Sequence, residues 1–212
     1  MKMKTFDELV LVNYCYPDCT PLMNIMRLPK EDAFELAREL AKKHPNTTAF
    51  YRFADFDNYY EHRRKQDEYL YSRFIELGGL PEEKHPLSFV IEGSDYLRDW
   101  FGKGIETKIF LKDIAPCHIS FTIGDSGAEF QKNGRVDLFI LDELYRRINE
   151  YGGDFETFMN TTGRHYIEVQ LWCDKYISKI EEIGDILYVN PGSVSIPKEN
   201  TERGYIVLTE ES

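Results

Sequence analysis

The chain has 212 residues, a net charge of −11, 42% hydrophobic residues and 14% aromatic residues. That composition excludes a disordered chain and fits one domain, or one domain with an appendage. The acidic balance speaks against nucleic acid and against anionic membrane surfaces, both of which select basic footprints, and no apolar run approaches the roughly 18 residues of a membrane span.

Asp7 and Glu8 fall where a secretory signal needs an unbroken apolar stretch, so a cytoplasmic location is expected. Cys15, Cys19, Cys117 and Cys173 are then expected as reduced thiols of a bacterial-type cytoplasm. Cys15 and Cys19 have three residues between them and no second ligand pair follows. They read as small side chains in a loop bounded by Pro17 and Pro21 rather than a metal knuckle. No metal and no cofactor is expected.

In chain order, Leu9 to Asn13 is an apolar run, and Leu22 to Leu28 alternates as a strand does before Pro29. Lys30 to Lys43 predicts a helix, with Ala33, Phe34, Ala37, Leu40 and Ala41 on one face and Pro45 as its stop. The β-branched and aromatic stretch Thr47 to Phe53 predicts a strand. Asp57 to Leu77 predicts a helix closed by Gly78 and Gly79. Leu87 to Glu92 predicts a strand, and Ser94 caps a short helix ending at Phe101. Ile105 to Leu111 and His118 to Ile123 predict two strands. Asp142 to Tyr151 and Asp154 to Asn160 predict two short helices split by Gly152 and Gly153. Tyr166 to Trp172 alternates strongly, with Ile167, Val169 and Leu171 on its buried face. The pattern predicts an α+β fold, with a mixed, mostly antiparallel sheet and helices on one side.

The composition changes near residue 175. Residues 176–212 carry three positive and seven negative charges, and they predict two strands, 185–190 and 204–209, joined by a polar loop. Residues 1–175 read as an α+β domain of unknown function, and 176–212 as a C-terminal two-strand appendage. Both faces of the last strand are apolar, so docking on the main domain, or a homodimer through the C-terminal strands, is expected.

The run Gly184-Asp185-Ile186-Leu187-Tyr188-Val189-Asn190-Pro191-Gly192-Ser193-Val194-Ser195-Ile196-Pro197-Lys198, followed by Gly204-Tyr205, resembles the C-terminal end of small bacterial metallophosphoesterases of the YfcE phosphodiesterase type. The resemblance covers about one sixth of the chain and implies a phosphodiesterase-like segment. It implies no catalytic body, because that family's two-metal site draws ligands from Asp-x-His, Gly-Asn-x-Asp and Gly-His-x-His motifs. The histidines here are His44, His62, His85, His118 and His165, and none falls in such a motif. Where Gly-His-x-His should stand, Trp172-Cys173-Asp174-Lys175 stands instead. The pattern resembles a gene fusion, or a relic in which a different domain replaced the catalytic body. Residues 1–175 also faintly resemble an uncharacterised bacterial family, through Tyr51-Arg52-Phe53-Ala54-Asp55-Phe56 and Lys84-His85-Pro86-Leu87-Ser88-Phe89, which implies nothing about chemistry.

Gly124-Asp125-Ser126-Gly127 mimics a serine-protease nucleophile motif but is followed by Ala128-Glu129, and reads as an ordinary turn. Arg52, Asp55, Asp57, Tyr59, His62 and Arg63 crowd the junction of an expected strand and helix, and are the candidate ligand-binding residues. The competing reading has Asp55 or Asp57 capping the helix while Arg63, Arg64 and Lys65 form its solvated face. His85 and His118 are isolated in sequence, and Cys117 cannot pair with His118 because strand neighbours point to opposite faces.

Three functions compete. The first is a non-catalytic domain that binds a partner protein or a small molecule. The second is a phosphodiesterase, resting on the tail. The third is an unfamiliar hydrolase or transferase using the Arg52–Arg63 cluster.

Overall fold

The computed structural model describes residues 6–179 and 181–182. The tail strands expected at 185–190 and 204–209, and the dimer contact through them, lie outside the described residues.

The alternating and β-branched runs become strands β1 (Val10–Cys15), β2 (Leu87–Ile91), β3 (Ile105–Phe110), β4 (Ile119–Ile123) and β5 (Ile167–Leu171). A two-residue strand, β6 (Glu181–Glu182), follows. They form one sheet in the order β4-β5-β2-β1-β3-β6, and every neighbouring pair is antiparallel. The helices are α1 (Lys30–Lys43), α2 (Phe56–Glu76), α3 (Asp95–Trp100), α4 (Ser126–Asn133), α5 (Leu141–Glu150) and α6 (Phe155–Thr162). The fold is α+β with an antiparallel sheet.

Two-residue periodicity gives each strand two distinct faces. On the first face Leu11, Phe89, Ile109, Phe121, Ile167 and Val169 meet Leu144 and Ile148 of α5 and Phe158 of α6 in one buried cluster. Each such aliphatic or aromatic side chain taken from water contributes about 1.5–3 kcal/mol. Tyr176 is buried in the same cluster.

The second face is also covered. Leu70 and Phe74 of α2 pack with Val136, Leu138 and Trp172, and the rings of Phe74 and Trp172 stack at 5.5 Å. Helices thus lie on both faces, not on one side as the chain order suggested. The reason is α2, whose stripe of inward residues is long enough to span the face that the polar half of β5 leaves behind.

Two expected strands are absent. Thr48–Asp55 is a 3-10 helix. Phe50, Phe53 and Phe56 recur every third residue, the period at which 3-10 side chains eclipse, and their neighbouring rings pack tilted and edge-on with centroids 5.6 and 5.3 Å apart. Local ring packing therefore outweighs β propensity. Residues 22–28 hold a single 3-10 turn, Ile25–Arg27, because Asn24 caps it by accepting from the Met26 N–H at 3.0 Å.

Elsewhere the caps behave as the residue types dictate. Ser94 accepts from Leu97 N–H, and Asp154 from Thr157 N–H. Glu31 and Asp32 open α1, and Lys42 and Lys43 close it, which matches its dipole. The Gly124–Gly127 stretch is more than a turn: Asp125 caps α4 by accepting from Ala128 N–H at 3.0 Å. The four cysteines are free thiols.

Candidate functional site

An inward helical stripe normally carries apolar residues at i, i+4, i+7, i+8 and i+11. On α2 those positions are Tyr59, Arg63, Gln66, Asp67 and Leu70, with Phe74 one turn further. The C-terminal half of the stripe is apolar and packs on Trp172. The N-terminal half is polar, and Gln66 and Asp67 are completely buried.

The sheet answers in kind. Ser120, Thr122, Glu168 and Gln170 point to α2, and the register sets Ser120 beside Gln170 and Thr122 beside Glu168. Trp172 Nε1 donates to Ser120 Oγ at 2.8 Å, and Ser120 Oγ donates to Gln170 Oε1 at 2.9 Å. Gln170 Nε2 then donates to Thr122 Oγ1 at 3.2 Å. Gln66 Nε2 donates to Ser126 Oγ at 2.9 Å, and Ser126 N–H donates to Glu168 Oε2 at 2.7 Å. The first turn of α4 comes so close that a Cβ on Gly127 would lie 3.1 Å from Gln66 Oε1, a tight contact that the Gln66 side chain would have to yield to.

The charges sit at the open end of this layer. Arg63 reaches the buried Asp67 at 3.2 Å, and Asp67 Oδ2 pairs with His85 Nδ1 at 2.7 Å. His85 is held in turn through its carbonyl, which accepts from Arg27 Nε at 2.6 Å. Burial works against the Arg63 charge, but Asp67, Tyr59, Glu168 and Asp125 hold the guanidinium firmly protonated. Burial, aided by the Asp125 charge, pushes the Glu168 carboxyl up to about 7, against the Ser126 hydrogen bonds and Arg63. The same two causes, burial and then Asp125, raise the Tyr166 phenol. Arg52 lies within electrostatic reach of Asp125 and Tyr59 and donates to Tyr51 Oη at 2.7 Å. Among the described residues it has no carboxylate in ion-pair contact. Gln66 Oε1 and Arg63 Nε are buried and receive no hydrogen-bond partner from the described residues.

Of the residues singled out in sequence, Arg52, Tyr59 and Arg63 converge. His62 flanks them, with Nε2 at 3.3 Å from Gly127 O and its ring on Phe130. Asp55 and Asp57 do not take part: both are exposed, and Asp55 accepts from Asn58 Nδ2. Nor does Asp55 cap α2 with its side chain. Arg64 and Lys65 do form the solvated face, whereas Arg63 turns inward.

Sequence reasoning missed Gln66, Asp67, His85, Asp125, Ser126, Tyr166 and Glu168. The signal for the α2 members was present, as polar residues in register with Leu70 and Phe74. Two open depressions lie elsewhere. One of about 970 Å³ is lined by Tyr69, Arg73, Glu129 and Arg135, and one of about 220 Å³ by Tyr14, Glu92, Arg98 and Glu106. No three metal-ligating groups meet at the Glu168 cluster; among the described residues they meet at Glu82, His118 and Cys173.

The phosphodiesterase resemblance rests on residues 184–205, outside the described residues. No helix among the described residues is long and apolar enough to cross a membrane. No family model matches the chain, and neither a curated protein nor a solved structure matches it significantly.

Proposed function

We propose that the chain binds a small polar molecule at the cluster of Arg52, Tyr59, Arg63, Asp125, Tyr166 and Glu168. The ligand carries an anionic group for Arg52 and a hydrogen-bond donor for Glu168 and Asp125. The observation that supports this most is the pairing, among the described residues, of a cation without a contacting carboxylate, Arg52, with buried polar atoms that lack partners, Arg63 Nε and Gln66 Oε1. Buried polar groups are rarely left this way unless a ligand or water satisfies them.

The test is thermal unfolding with millimolar inorganic phosphate and with a set of small amino-carboxylates. A ligand that binds only the folded chain raises its stability by about 2.7 kcal/mol at one hundred times its dissociation constant. At least one compound should raise the unfolding temperature of the native chain and leave Arg52→Ala unmoved. The reading fails if none does, or if Arg52→Ala responds equally.

A second reading, a hydrolase or transferase using the same residues, is favoured by Glu168 alone. A carboxyl titrating near neutrality is suited to both accept and donate protons, and such general acid–base work contributes about 10²–10⁴-fold. Its mark is a rate profile with an inflection near pH 7. Glu168→Gln would abolish that inflection.

A further inference from the structure

At the opposite end of the β4–β5 pair from Glu168, three segments distant in sequence converge. Cys173 follows β5, His118 precedes β4, and Glu82 lies in the connection between α2 and β2. We infer that Glu82 Oε, His118 Nε2 and Cys173 Sγ form a binding site for a single transition-metal ion of the Zn²⁺ class, with a fourth position open to solvent.

The ligand atoms lie within 4.8 Å of one another, and His118 Nε2 is 3.8 Å from Glu82 Oε1. A tetrahedral ion with metal–sulfur bonds of about 2.3 Å and metal–nitrogen or metal–oxygen bonds of about 2.0 Å needs edges of roughly 3.3–3.6 Å. Closing the remaining gap of about 1 Å takes small side-chain adjustments among the three ligands, of which Glu82 is exposed and His118 and Cys173 are buried.

The backbone fixes the three segments. Leu80 N–H donates to Cys117 O at 2.7 Å, Glu82 and Glu83 N–H both donate to Trp172 O at 2.9 and 3.0 Å, and Trp172 N–H donates to His118 O at 2.9 Å. Every ligand is thus next to, or part of, a main-chain bond to another ligand's segment.

The surrounding shell suits a metal too. His118 Nδ1 is 2.7 Å from the Tyr176 hydroxyl, which also accepts from Ala115 N–H at 3.0 Å. With Nδ1–H donating to that oxygen, the Nε2 lone pair faces Glu82 and Cys173, the arrangement that orients metal-binding histidines. Burial and the nearby Lys175 keep the imidazole neutral, as a ligand must be. The backbone N–H of Lys175 and the Glu82 carboxylate both lie within electrostatic reach of the Cys173 sulfur. A bound ion displaces the thiol proton. Thiolate, carboxylate and a divalent ion then sum to zero charge, which a half-covered site tolerates. A soft thiolate with an imidazole selects Zn²⁺ or Co²⁺ over Mg²⁺ or Ca²⁺. The exposed Lys175 ammonium also faces the group, and its exposure lets it turn to solvent.

The test uses the full chain, reduced and stripped with chelator, then titrated with Co²⁺. One equivalent should bring a thiolate-to-cobalt charge-transfer band and the intense visible bands of a four-coordinate ion, both erased by one equivalent of Zn²⁺. Cys173→Ala should abolish the charge-transfer band, and Glu82→Ala, at an exposed position that leaves the fold intact, should weaken Co²⁺ at least about tenfold. Cys117→Ala and the double change Cys15→Ala with Cys19→Ala should leave the spectrum unchanged. The inference is overturned if one equivalent of Co²⁺ gives no charge-transfer band. It is equally overturned if the band depends on Cys15, Cys19 or Cys117, or if Glu82→Ala binds with undiminished affinity.

Discussion

The two faces of the sheet are both covered, but by different chemistry. Under α5 and α6 the contacts are those of hydrocarbon, from Leu11 through Phe121 to Ile148. Under the first half of α2 they are hydrogen bonds and charges, from Ser120 and Gln170 to Glu168, Gln66 and Asp67. A dry face is tolerant of which apolar residue fills it and intolerant of lost volume. A polar buried face inverts this. Its net stabilisation per bond is small, yet each bond removed leaves a stranded partner at about 1–3 kcal/mol. Such a layer contributes specificity and chemistry more than stability.

That contrast can be broken from either side. The largest effect is expected on the dry face, where Phe121→Ala empties a fully buried ring site and should cost about 3–5 kcal/mol in denaturant unfolding, with Phe121→Leu recovering most of it. A loss below about 1 kcal/mol would mean that this face is not tightly packed.

On the polar face, Asp67→Ala should approach the same size, about 3–5 kcal/mol, because Arg63 is left buried beside an emptied site. Here volume restoration should not help: Asp67→Leu should stay nearly as unstable, whereas Asp67→Asn, which still accepts hydrogen bonds, should be milder. If Leu rescues Asp67 as it rescues Phe121, the two faces obey one rule after all.

Glu168 sharpens the comparison through pH. Its carboxyl is raised in the folded chain to about 7. An unfolded glutamate ionises near 4.3, so the folded state binds the proton more tightly. The stabilisation this gives is fully present below about pH 4 and is lost as pH rises through about 7, over a span of roughly 3–4 kcal/mol. Glu168→Gln should remove that slope from the stability–pH curve and unfold at a higher denaturant concentration than the native chain at pH 8. An unchanged slope would place the titration elsewhere.

The smallest effect belongs to the seam where the faces of α2 change character. Trp172→Phe keeps the stack on Phe74 but loses the donor to Ser120, for about 1 kcal/mol in the same unfolding measurement.

Much of the fold was legible in the sequence because its signals are local. The apolar spacing of Lys30–Lys43, the alternation of Tyr166–Trp172 and the cap at Ser94 each rest on a few neighbouring residues. Thr48–Asp55 was misread because aromatic residues serve two periods: in a strand they alternate, and here Phe50, Phe53 and Phe56 pack ring against ring every third residue. The site was half legible. Arg52, Tyr59 and Arg63 are crowded in sequence, so their grouping could be seen. Glu168 and Gln170 could not be placed, because alternation alone makes the polar side of a strand a solvent side. Only the long-range fact that α2 lies across it makes that side an interior, and Asp125 joins the group solely because β4 ends beside β5.

Phe121 carries one more duty. β4 is the outer strand of its side of the sheet, and its backbone N–H and C=O both bond to Phe139, at 2.9 and 3.0 Å. Outer strands are templates on which foreign strands assemble, and proteins defend them with cover or interruption. The Phe139 bridge occupies the middle pair of the outward hydrogen-bonding groups of a five-residue strand. An approaching chain must therefore evict the bridge before it can lay down a continuous ladder. The bridge's two flanking rings, Phe121 and Phe139, stack at 5.9 Å and resist that eviction. One pair of hydrogen bonds thus guards this border of the sheet against edge-to-edge aggregation.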